Sequence, residues 1–152
     1  NAIKLANDTL ISAGTTRPRI GVAALNPHAG DDGNFGTEEI DILAPAIEKA
    51  RGLQIDVDGP WPSDTVFLRG RDGKLDAVVT MYHDQGQIAM KMMGFDRGVT
   101  IAAGLPVPVA TSAHGTAFDI AGKGVANLNA TRKAFDILCH MGVNFRRSRM
   151  AA

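Results

Sequence analysis

The sequence predicts an α/β layered fold with a largely parallel sheet, and three observations carry that prediction. Short apolar, β-branched runs alternate along the chain with segments of helical apolar spacing. Clusters of Gly, Pro, Asn and Asp separate them, at residues 26–36, 59–62 and 104–106. The run Ala77-Val78-Val79-Thr80 also leads straight into MYHDQGQIAMK, where polar groups crowd the point at which a buried strand gives way to a helix. Open α/β sheets place their ligands at such points.

In order, the chain opens on a helix whose apolar stripe is Ile3, Ala6, Leu10 and Ile11, ended by Ser12, Ala13 and Gly14. Its first residue is Asn1 rather than Met, so it reads as cut from something longer. Residues 19–25, RIGVAAL, read as a strand, and a polar, Gly-rich loop follows at 26–36, NPHAGDDGNFG. Thr37 opens a helix with Glu38 and Glu39 in its first turn, where they complement the dipole. Ile40, Leu43, Ala44 and Ile47 form its apolar face, and Pro45 should kink or split it. A short strand at 54–57 is closed by Gly59-Pro60-Trp61-Pro62; Ser63 or Asp64 then caps a short helix ending at Phe67. Arg71-Asp72-Gly73 turns the chain into the strand that ends at Met81.

Helical spacing resumes from Ile88 to Met93, where Met90, Met92 and Met93 read as core packing. A strand at 99–103, a turn at Gly104-Leu105-Pro106 and a helix or tight turn at 117–121 come next. Asn129 caps a last helix, 130–141, with Ala134, Ile137, Leu138 and Met141 inward. Arg146, Arg147 and Arg149 then form a short basic tail within 143–152.

Composition bounds the function. A chain of 152 residues can bury one substantial core. Lys and Arg total 16 and so do Asp and Glu, which argues against a nucleic-acid or anionic-membrane surface. The single Cys139 excludes an internal disulfide and fits a reducing cytoplasm. No apolar run approaches the ~20 residues that span a bilayer.

Chemistry concentrates in three polar loops. His28, between Pro27 and Ala29, and His83, after a buried strand, can each offer an imidazole nitrogen to a metal or a reacting proton. The plainer readings are a flexible loop around the glycines and a turn in which Asp84 caps the next helix. Neither a G-x-x-x-x-G-K-[ST] phosphate loop nor a G-x-G-x-x-G after a strand is present.

The third loop, His114-Gly115-Thr116-Ala117-Phe118-Asp119-Ile120-Ala121-Gly122-Lys123-Gly124, resembles the nucleotide-binding loop of the isopropylmalate and isocitrate dehydrogenases. Asn26-Pro27-His28-Ala29-Gly30 with Gly36-Thr37-Glu38-Glu39-Ile40, and Tyr82-His83-Asp84-Gln85-Gly86 with Lys91, narrow the likeness. Together they resemble the 4-hydroxythreonine-4-phosphate dehydrogenase family from about Arg19 to Leu138.

That resemblance implies a three-layer αβα fold of the isocitrate/isopropylmalate dehydrogenase type, largely parallel or mixed, as the C-terminal portion of a two-domain enzyme. Residues 1–18 would continue from a preceding half, 19–142 would carry the metal- and nucleotide-binding region, and 143–152 would be a tail. It implies a homodimer with a site shared between subunits, and a divalent ion (Zn, Mg, Mn or Co) held by His28, His83 and a third histidine upstream. Asp64, Asp84 and Lys91 match catalytic positions, Lys91 and Thr100 substrate-binding ones, and His114, Gly115, Thr116, Ala117 and Asp119 the cofactor loop. Asp119 would accept bonds from the ribose hydroxyls of NAD and disfavour NADP; the plainer reading is a helix cap.

The implied reaction is metal-dependent oxidation, with or without decarboxylation, of a 4-phosphorylated hydroxy acid such as 4-phosphooxy-L-threonine. Two departures from the family pattern bear on the substrate. Thr100 stands where the family has Asn, and LPVPVATSA at 105–113 lacks the Arg expected near Val109 or Ala110. A four-carbon acid phosphate or an aromatic cis-dihydrodiol is therefore an alternative substrate, and a catalytically silent nucleotide- or metal-binding module an alternative role.

Overall fold

A computed structural model describes residues 1–150, with side chains to Arg146. It divides into two compact units: residues 1–11 with 15–89, and residues 12–14 with 90–152.

The first unit is a three-layer sandwich. Strands β1 (Arg19–Ala23), β2 (Asp56–Trp61) and β3 (Ala77–Val79) make a parallel sheet in the order β2-β1-β3. Side chains alternate across a strand, and each face here has its own core. Ile20, Val22 and Val57 pack with Ile47, Ala50 and Ile55, joined by Ile3 and Ala6. These bring helices α1 (Ala2–Ser12) and α2 (Ala44–Gly52) onto one face. On the other, Ala23 packs with Val66 and Leu75, so α3 (Val66–Arg71) covers the sheet there. Gly21 is what permits that approach: a Cβ on it would lie 2.5 Å from Leu75 Cδ1.

Several boundaries differ from the sequence reading. β1 stops at Ala23, because Ala24 turns its carbonyl to a side chain instead of a strand. β2 carries on through Gly59 and Pro60, read as a breaker, with a register shift opposite Gly21 and Ala23 that absorbs them. α3 begins after Thr65, so neither Ser63 nor Asp64 caps it. The helix expected from Thr37 is split, as Pro45 required: a π-helical turn, Glu39–Leu43, precedes α2, and Pro45 occupies the first turn of α2, where its missing N–H costs nothing. Ile47 is buried, but Ile40 is 54 % exposed and leaves the expected apolar face.

In the second unit β4 (Val99–Ala102) pairs antiparallel with β5 (Val109–Ser112). β5 is not expected from the sequence, where only the turn at Gly104-Leu105-Pro106 is read between 104 and 113. Helix α5 (Asn129–Met150) packs on this ribbon and buries Ala130, Ala134 and Met141. It runs past Met141 to Met150; the side chains of Arg147 and Arg149 lie outside the described residues.

Helix α4 (His83–Gly94) corrects the methionine reading. Met90 packs at Gly98, where a Cβ would meet its sulfur at 2.8 Å, but Met92 is 84 % and Met93 59 % exposed. Among the described residues, no helix is long and apolar enough to cross a membrane.

Candidate active site

Three neighbouring parallel strands deliver their loops to one edge of the sheet. β2 leads to Asp64, β1 to His28, and β3 to His83 and Asp84, all beyond the carboxyl ends of their strands. All four side chains are exposed.

The loop bearing His28 is a left-handed turn. Successive φ angles from His28 to Asp32 are 52, 55, 84, 45 and 52°. Each L-residue so held costs roughly 1–2 kcal/mol, so the surroundings must impose it. Glu39 is the nearest cause. Glu39 is 3 % exposed, and its carboxylate accepts from Leu25 N and Asn26 N at 2.8 Å each and from Asn26 Nδ2 at 2.9 Å. Burial alone would raise its pKa, but these bonds outweigh that and hold it below the usual range, so the group stays ionised. Gly30 lies against the same carboxylate: a Cβ there would sit 2.8 Å from Glu39 Oε2, and φ is +84°. The turn is thus fixed where the glycines alone suggested a loose connector. The His28 ring tilts 44° against Phe35, centroids 5.9 Å apart.

His83 opens α4, and its Nδ1 lies 2.8 Å from Asp84 Oδ1. In the tautomer with Nδ1 protonated, that nitrogen donates to the carboxylate and leaves Nε2 able to accept a metal. Asp84 lies inside the first turn of α4, after His83. Gln85 is half-buried behind it: its Oε1 accepts from Met81 N at 3.0 Å and its Nε2 donates to Ala24 O at 3.1 Å.

The remaining predicted residues belong to the second unit. Lys91 is exposed in the last turn of α4, and Thr100 is exposed on β4 opposite Thr111. His114 donates from Nδ1 to Gly115 O at 2.8 Å, and Gly115, Thr116 and Ala117 are exposed. Ala117 is left-handed, φ 49°, and begins a 3₁₀ turn, Phe118–Ile120, with no side-chain cap bond. Asp119 is within that turn, so the cap reading does not hold.

Two imidazoles on adjacent strand ends are suitable donors for a divalent ion. They fall short of the three protein ligands typical of a catalytic site, and among the described residues no group of three or more His, Cys, Asp or Glu is placed to hold a metal. The donors present fit part of such a site. The sequence does not single out Glu39 and Gln85 as supports: Glu39 reads there as a dipole partner, because nothing local distinguishes it from Glu38.

The family model described as pyridoxal phosphate biosynthetic protein PdxA matches residues 1–138. A Pseudomonas aeruginosa protein provisionally named 4-hydroxythreonine-4-phosphate dehydrogenase 2 is 63 % identical over 143 residues, 93 % of this chain and 42 % of its own length. D-threonate 4-phosphate dehydrogenase of Pectobacterium atrosepticum is 52 % identical over 124 residues, 82 % of this chain and 38 % of its own. In crystal structures, 4-hydroxythreonine-4-phosphate dehydrogenase of Klebsiella pneumoniae superimposes with TM-score 0.80 at 45 % identity, over 91 % of this chain and 42 % of that one. A terephthalate 1,2-cis-dihydrodiol dehydrogenase of Burkholderia xenovorans gives 0.69 at 33 % identity, over 91 % and 44 %. The chain thus spans about two fifths of the length of the curated relatives it matches.

Proposed function

This chain belongs to the family described as pyridoxal phosphate biosynthetic protein PdxA, and from that premise we propose that it works as part of a metal- and nicotinamide-dependent dehydrogenase oxidising a hydroxyl of a phosphorylated hydroxy acid. One observation carries the reading: paired parallel strands β1 and β3 bring His28 and His83 to the same sheet edge, with Asp84 2.8 Å from His83. His28 and His83 would hold the divalent ion, together with a histidine from outside these residues. When bound, the ion would supply Lewis acidity toward the substrate hydroxyl and a nicotinamide would supply the hydride acceptor. Asp84 orients the His83 ring by taking its Nδ1 proton in a hydrogen bond. Asp64, in the loop after β2 on the far side of β1, offers a carboxylate to a substrate proton. Lys91 supplies a point charge for a carboxylate or phosphate, and Thr100 a hydroxyl. In the His114–Asp119 loop, the exposed Asp119 carboxylate would accept from the ribose hydroxyls of a bound NAD. A second copy of the chain is the partner this reading requires.

The substrate is the finer question. Val109 is 40 % exposed on β5, and residues 105–113 hold no cation. Without a guanidinium fork, bidentate grip on an anion is lost at this strand. A carboxylate and a phosphate are common to 4-phosphooxy-L-threonine and to a four-carbon acid phosphate of the D-threonate type, so 4-phosphooxy-L-threonine stands as the substrate proposed, with the acid phosphate and an aromatic cis-dihydrodiol as alternatives. The test is His28→Ala and His83→Ala in the complete gene product. Each is expected to abolish oxidation and weaken binding of Co²⁺ or Zn²⁺, and wild-type turnover in the double variant would refute the reading.

A further inference from the structure

The segment Ala24-Leu25-Asn26 joins β1 to His28, and three of its neighbours bond all three of its N–H groups and the Ala24 carbonyl. Ala24 N donates to Trp61 O at 2.7 Å, on β2. Ala24 O accepts from Gln85 Nε2 at 3.1 Å. Leu25 N and Asn26 N both donate to Glu39 Oε1 at 2.8 Å. The Gln85 amide faces two ways, since its Oε1 also accepts from Met81 N at 3.0 Å and Tyr82 N at 3.4 Å, the residues just before His83. One side chain thus joins the stem of the His28 loop to the stem of the His83 loop.

The geometry points to Gln85 and Glu39 as a positioning pair that sets His28 and His83 relative to one another. This rests on the proposed metal role of the two histidines. Gln85 fixes the spacing between the loops, because its amide cannot reach both stems unless they stay side by side. Glu39 fixes the path of the His28 loop, because the left-handed turn packs Gly30 on its carboxylate. Neither side chain is assigned to the metal itself. Asn26 Nδ2, which also donates to Glu38 Oε2 at 2.7 Å, holds the outer side of the same turn.

The experiment is a titration of the metal-free complete protein with Co²⁺ and Zn²⁺, without substrate or cofactor. It compares wild type with Gln85→Met, Glu39→Gln, His28→Ala and the combination of each support variant with His28→Ala. Gln85→Met keeps the volume and loses both bonds; it keeps the test open if Glu39→Gln does not fold. Loss of a group that orients a metal-bound histidine costs about 10–100-fold in affinity. That loss is expected for Gln85→Met and Glu39→Gln, and no further loss when either is added to His28→Ala. A general weakening of the fold would instead lower affinity by the same factor in both backgrounds. Unchanged affinity in folded Gln85→Met, or an additive loss on His28→Ala, overturns the positioning role while leaving the metal reading intact. If His28→Ala itself leaves affinity unchanged, the metal reading falls and the positioning role with it.

Discussion

At the scale of single residues, exposure and partners separate two acids that look alike in the sequence. Glu38 and Glu39 are neighbours, yet Glu39 is 3 % exposed and ties down the His28 loop. Asp119 is the opposite case: it is exposed in a turn with no side-chain cap bond. A carboxylate free of structural duty is available to a ligand, and one that faces a ribose favours NAD because it repels the 2′-phosphate of NADP. Asp119→Lys is expected to shift the ratio of kcat/KM for the two cofactors toward NADP by roughly tenfold or more, through lost repulsion and added attraction. Measured in the complete protein, an unchanged ratio in a folded variant removes Asp119 from the cofactor site.

At the scale of elements, the sheet is clamped at the end opposite the histidines. Arg19 begins β1 and Asp76 immediately precedes β3; the guanidinium bonds both carboxylate oxygens at 2.9 Å, and Arg19 N adds a third bond at 2.8 Å. The Arg19 side-chain and backbone donors, strengthened by its charge, pull the Asp76 pKa from 3.8 down to about 2. A carboxylate with a depressed folded pKa contributes stability above its unfolded value and loses it as pH falls. The Arg19–Asp76 clamp is therefore fully present at neutral pH and fades between 3.8 and about 2. Urea unfolding of wild type and Asp76→Asn is expected to differ at pH 7 and converge across that window; a difference that persists at its acid end would show that the clamp does not act through this ionisation. Helix α4 gives a second lesson at this scale, because its methionines divide between Gly98 and open solvent.

At the scale of the whole molecule, the described residues fall into two units, with His28 and His83 in one and the His114–Asp119 loop in the other. With two imidazoles and no described three-donor group, residues 1–152 expressed alone are expected to show no turnover with any hydroxy acid tried, and ordinary turnover would end the need for an outside ligand. Sequence by itself determined the alternation of strand and helix, the split at Pro45 and the histidine-bearing loops, because periodicity, proline sterics and side-chain chemistry are local properties. It also carried the family, through three motifs in one order. Only the tertiary structure decided that Gly59-Pro60 lies inside β2, that LPVPVATSA holds a strand, and that Met92 faces solvent, because each depends on what packs alongside. The supports were hidden for the same reason. Gln85 bonds to Ala24 and Glu39 to Leu25 and Asn26, contacts that exist only once three parallel strands have brought their carboxyl ends together.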